Sequence, residues 1–157
     1  MLRYRPFLQF SALYLLLSAL LRIALWGLYG LDAGVGIVEL FSAVIIGIVN
    51  DLVVLVYLLA IFQIYILLIP DRWYRSSKHH YVFGFITYAL LFGLLYLQAV
   101  EICFFDEFNS RFNLVAGDYL MYPTEVLVNL WESYPVIWVL IANGILSLIL
   151  FRWFWPH

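Results

Sequence analysis

The sequence predicts an all-α fold: a polytopic membrane helix bundle with four transmembrane helices plus a short amphipathic helix in the outer loop. Three observations lead there. Of 157 residues 66% are apolar and only 11% charged, where a soluble domain carries about 25% charged residues. The chain also holds four apolar stretches that meet the roughly 20 residues a helix needs to cross a hydrocarbon core about 30 Å thick. None alternates faces over about ten residues, as a β-barrel strand does. With eight Lys and Arg and ten Asp and Glu, the surface cannot keep a globule in water. A soluble enzyme, a nucleic-acid binder and a disordered tail are excluded. The single cysteine, Cys103, excludes an internal disulfide and a multi-thiolate metal site.

Residues 1–157 read as one membrane domain. The first span covers 7–29 and is interrupted only by Arg22. Its basic start, Arg3 and Arg5, is shared with signal peptides, but the apolar run is longer than a signal core. No small-residue cleavage site follows, so an uncleaved helix is expected. From 37 to 69 the chain stays apolar for longer than one crossing needs. The second span is therefore placed at 45–69, with 35–43 as a lead-in turn or short helix near the interface. The third span, 83–104, carries Gln98 and Glu101 near its end, and the fourth, 136–154, holds Asn143 and Gly144 in its middle. Trp73, Tyr74, Trp138, Trp153 and Trp155 lie near span ends, where the headgroup region favours aromatic side chains. No internal repeat is visible.

Charge placement orients these spans, because Lys and Arg concentrate in cytoplasmic loops. Four crossings with the N-terminus inside put Arg3, Arg5, Arg72, Arg75, Lys78 and Arg152 in the cytoplasm, leaving only Arg111 outside. Asp32, Asp106, Glu107, Asp118, Glu125 and Glu132 then all face out. Both termini are expected in the cytoplasm.

Two charges fall inside the spans. Arg22 lies about 12 Å below the outer end of its helix and Asp51 about 9 Å below the same surface. Intramembrane charges pair or face a cavity, so an Arg22–Asp51 contact is expected, with Asn50 as a further hydrogen-bonding group nearby. The pair reads as a clamp between helices or as part of a polar cavity for a lipid headgroup or substrate. Nothing else converges there, which favours the clamp. Glu101 stands near the end of its span, within reach of interfacial water. His79 and His80 belong to a basic loop and His157 stands apart, so solvated roles are expected for them. Cys103 reads as a packing residue. No Ser–His–Asp set, phosphate-cradling glycine loop or zinc motif is present.

The outer loop, 105–135, is the one sizeable stretch between spans. After Pro123, Thr124 can cap a short helix. Val126, Leu127, Leu130, Trp131 and Tyr134 would share one face, with Glu125, Asn129, Glu132 and Ser133 on the other. The polar face is acidic, so anionic lipid would not hold it. The functional reading is docking on a protein partner, with Asp106, Glu107, Arg111, Asp118 and Trp131 as candidate contacts; the alternative is a helix that merely covers the bundle.

Several runs carry a likeness to a known family. These are Phe105-Asp106-Glu107-Phe108-Asn109-Ser110-Arg111-Phe112-Asn113, Gly117-Asp118-Tyr119-Leu120, Tyr122, Thr124-Glu125-Val126 and Trp131-Glu132-Ser133-Tyr134-Pro135. With them go Gly47-Ile48-Val49-Asn50-Asp51-Leu52, Tyr57-Leu58-Leu59-Ala60 and Leu68-Ile69-Pro70. Together they resemble the N-terminal membrane domain of lipoteichoic-acid-synthase-like proteins of Gram-negative type, in the sulfatase or alkaline-phosphatase superfamily with the phosphoglycerol transferases.

The resemblance implies a bacterial inner-membrane anchor for an extracytoplasmic domain that transfers phosphoglycerol or cleaves phosphate or sulfate esters. That domain would use a divalent metal, manganese in many members; the anchor itself takes no cofactor. None of the family's catalytic positions maps onto this chain, so no catalytic, cofactor or metal residue is assigned. Family members cross the membrane five times, whereas four crossings are read here. The expectation is a membrane domain truncated before a fifth span and the enzyme, with membrane lipid and that missing domain as partners and no nucleic acid. Two other readings stand beside it: an independent small membrane protein serving as partner subunit or lipid-binding module, and a transporter half built on Arg22 and Asp51. The last lacks the interrupted helices and repeats of such folds. DNA beyond His157 separates the first two, a basic loop, an apolar span and a large soluble domain marking the anchor.

Overall fold

The computed structural model describes residues 5–111, 117 and 123–155. Among the described residues four helices are long and apolar enough to cross a membrane: Pro6–Gly30, Ile37–Leu68, Ser77–Phe108 and Val136–Trp153. Among the described residues there is no strand. The protein is an all-α, multi-pass membrane fold. Its chain divides into two compact units, Met1–Ile86 and Thr87–His157.

The first unit opens with α1, Arg5–Leu25, which continues into one π-helical turn, Trp26–Gly30. There the Leu31 amide reaches back to the Trp26 carbonyl at 3.1 Å, and the Trp26 indole donates to the Val35 carbonyl at 2.9 Å. The indole lies over Gly30, where an added Cβ would stand 2.8 Å from Trp26 Cδ1. Gly34, at φ +74°, completes the corner in a conformation that side chains disfavour.

Helix α2 follows as Ile37–Leu68. One helix thus runs unbroken through the lead-in read at 35–43 and the span read at 45–69, so the lead-in is not a separate segment. Nothing after Gly36 breaks a helix, so the chain winds from Ile37 onward without a seam. At 1.5 Å per residue α2 is about 48 Å long, which exceeds the hydrocarbon core and requires tilt or protruding ends. Pro70 stops it, a single turn α3, Asp71–Tyr74, follows, and α4 spans Ser77–Phe108. Helix α4 also outruns its expected bounds, 83–104. Ser76 is its N-cap, the Oγ accepting from the His79 amide at 3.2 Å, and at the far end Asn109 turns left-handed at φ 49°. Hydropathy marked where lipid begins; the caps mark where the helix begins.

The second unit holds the remainder of α4, then α5, Pro123–Ser133, and α6, Val136–Phe154. The helix expected after Pro123 is present, but it begins at that proline, so Thr124 lies inside its first turn rather than capping it. Helices α4 and α6 meet through polar ties and rings. Asn143 Nδ2 donates to the Phe92 carbonyl at 3.1 Å, and the fully buried Ser147 donates from Oγ to the Asn143 carbonyl at 2.6 Å. Tyr88 and Phe151 stand edge to face at 6.0 Å. In lipid, small residues and interhelical hydrogen bonds of this kind drive association, because apolar burial gains little there. Replacing Asn143→Leu is expected to cost about 1 kcal/mol, read as a lowered midpoint of thermal unfolding in detergent, while Ser147→Ala costs less.

Candidate functional site

The charges inside the first unit meet. Arg22 Nη1 donates to Asp51 Oδ2 at 2.8 Å and Nη2 donates to Asp51 Oδ1 at 3.1 Å. This is the fork-on-fork arrangement that a planar guanidinium makes with a carboxylate. Both side chains are buried, 8% and 9% exposed. Nη1 also donates to Ser18 Oγ at 2.8 Å, and Ser18 is itself buried. Ser18 and Arg22 stand one turn apart on α1, so their side chains share a face.

Helix α2 makes room for the fork with a glycine. Gly47 stands one turn before Asp51, and a Cβ there would overlap the Arg22 guanidinium, lying 2.6 Å from Nη2. Arg22 thus crosses the surface of α2 over bare backbone and reaches the carboxylate on the next turn. Asp51 stands about 21 Å from the start of α2 rather than the 9 Å expected from residue 45, because two added helical turns precede it. Asn50 does not join the pair. It is exposed, displaced by about 100° around the helix.

A second polar cluster contradicts the expectation for His79. The residue is 9% exposed, in the first turn of α4, and its Nε2 is hydrogen bonded to the Tyr65 hydroxyl. Tyr65 and Phe83 stack on the ring, with Tyr74 tilted beside it. Burial follows from the N-cap at Ser76, which winds His79 into the helix and turns it toward α2. His80 is exposed.

The candidate docking residues of the second unit divide. Arg111 Nε is hydrogen bonded to Glu101 Oε1, and Glu101 is 8% exposed, so it is ion-paired rather than hydrated as expected. Asp106 and Glu107 lie in the last turns of α4, not in a loop, because the helix persists to Phe108. The Tyr134 hydroxyl is shared between the Cys103 carbonyl and Asp106 Oδ2, each at 3.3 Å. Burial, and then the Asp106 charge, push the Tyr134 pKa up, so it remains a neutral donor. Cys103 is a half-buried free thiol. Trp131 is exposed on α5, and Asp118 lies outside the described residues. Among the described residues no three His, Cys, Asp or Glu side chains converge to hold a metal ion.

Sequence reasoning reached Arg22 and Asp51 but passed over Gly47 and Ser18 as partners. The signal was available: each stands four residues before its charge, on the same helical face. Comparison with protein-family models, with curated proteins and with solved structures finds no match to this chain.

Because Gly47 is the floor under the guanidinium, Gly47→Ala is expected to weaken α1–α2 packing by roughly 1–3 kcal/mol. Gly47→Leu should weaken it further. Detergent melts of the two variants, compared with Gly93→Ala at an open position, check the ranking.

Proposed function

We propose that this chain is a membrane anchor and scaffold, of the kind that carries the extracytoplasmic domain in lipoteichoic-acid-synthase-like proteins. The supporting observation is the closed state of its most expensive polar pair. Both Asp51 oxygens are occupied by Arg22, and Ser18 takes a further guanidinium proton. An arginine that captured a headgroup would hold its fork open to the ligand, whereas this one spends it on the neighbouring helix. The likeness of the sequence runs to that family supports the same assignment, with an inner-membrane location. The divalent-metal chemistry of the family belongs to the attached domain. Here the bundle holds that domain at the membrane, and the segment joining α4 to α6 contacts it or admits its lipid substrate.

Removing one charge leaves the other buried and unpaired, which costs about 3–5 kcal/mol. Asp51→Leu and Arg22→Met are each expected to lower the detergent unfolding midpoint sharply, and the double variant to recover most of the loss. Phosphatidylglycerol should raise the midpoint equally in the parent and the double variant. A lipid-induced shift seen only in the parent would make the pair a headgroup site and refute the clamp.

Orientation is proposed with both termini in the cytoplasm, from the distribution of Lys and Arg. In a Cys103→Ser background, Glu132→Cys should react with an impermeant maleimide on intact cells. Lys78→Cys should react only after permeabilisation. The opposite pattern inverts the topology.

A further inference from the structure

Helix α2 carries an amide where lipid offers it nothing. Asn50 lies about 20 Å from Ile37 and about 27 Å from Leu68, so it stands within roughly 4 Å of the helix midpoint. It is exposed, and among the described residues its side chain makes no hydrogen bond. Around it Ile46, Val53, Val54 and Tyr57, at the i−4, i+3, i+4 and i+7 positions, are all exposed as well. They form one largely apolar face with the Asn50 amide at its centre and the Tyr57 hydroxyl two turns away.

Gln63 is also exposed on α2, but it lies only about 7 Å from Leu68, where interfacial water reaches an amide. Asn50 adjoins Asp51 and is therefore level with Arg22, about 12 Å below the outer end of the first helix, beyond that reach. An amide facing acyl chains forfeits its donors and its acceptor, a cost of a few kcal/mol. Apolar side chains alone do not select a partner in lipid, since the tails are equally apolar; interhelical hydrogen bonds do.

We infer that this face of α2 is the interface with a second copy of the chain, paired through Asn50 on Asn50. The occupant follows from chemistry and from depth. A carboxamide carries two N–H donors and one carbonyl acceptor, so it is its own complement. All copies inserted in one orientation hold Asn50 at the same depth, and a two-fold axis along the membrane normal brings the two amides together as an isologous contact. The pair uses no residue of the Arg22–Asp51 clamp, which faces α1. The dimer is therefore independent of what the bundle anchors.

The test uses the full chain in membranes, in a Cys103→Ser background. Val54→Cys, one turn along the same face with Asn50 retained, should form an oxidised species of twice the chain mass, and Leu52→Cys, exposed about 200° around the helix, should give only background. With the native thiol retained, Asn50→Leu should weaken self-association about tenfold in a detergent or bilayer energy-transfer titration. Asn50→Gln should keep most of it, and thermal melts should show both variants folded. A Val54→Cys band no stronger than the Leu52→Cys control, a crosslink to a protein of different mass, or an unchanged association constant for Asn50→Leu would each overturn the proposal.

Discussion

The polar groups that join these helices are governed by one rule: inside a bilayer, a hydrogen-bonding group must find its partner within protein. Arg22 and Asp51 show the rule at its most demanding. Either charge alone at that depth is expensive, with insertion scales placing Arg and Asp at about 2.5–3.5 kcal/mol each near a helix centre. Together, with both carboxylate oxygens covered and Ser18 assisting, they turn two liabilities into a fixed register between α1 and α2. The glycine beneath the guanidinium is part of the same device, since close approach is what lets both bonds form.

The same logic recurs on a smaller scale. Asn143 ties α6 to the Phe92 carbonyl of α4, and Ser147 satisfies its own hydroxyl one turn back, on the Asn143 carbonyl. His79 and Tyr65 satisfy one another within a nest of rings that includes Phe83. Glu101 is neutralised by Arg111 from beyond the end of its own helix. Each tie is local to one of the two units, and each uses a polar group that hydropathy alone would score only as a penalty. The spans are thus recognised by what is apolar and assembled by what is not.

How much of this the sequence disclosed follows from the physics of each feature. Long apolar runs have no soluble alternative, so the four spans and the helical class were plain. Depth arithmetic brought Arg22 and Asp51 to one surface, although it started α2 two turns late. Helix ends were harder, because hydropathy falls at the lipid boundary while the backbone continues. Ser76 capping and the left-handed Asn109 set the ends of α4 outside the expected limits. The solvated readings of His79 and Glu101 failed for the same reason: both were judged by their neighbours in the chain, and both are buried by neighbours in space. Gly47 was visible as part of a motif, but its role depends on a side chain from another helix, which no window along one helix contains.

The corner between α1 and α2 has a consequence for how the protein reaches the membrane. The π turn, the indole bond to Val35 and the left-handed Gly34 join the two helices through a connection too short for either to settle alone far from the other. Released one at a time, each would enter lipid bearing an uncompensated charge. Released as a helical hairpin, they enter neutral. Insertion is thereby linked to fold, since the charge on α1 is compensated only once residue 51 stands beside it.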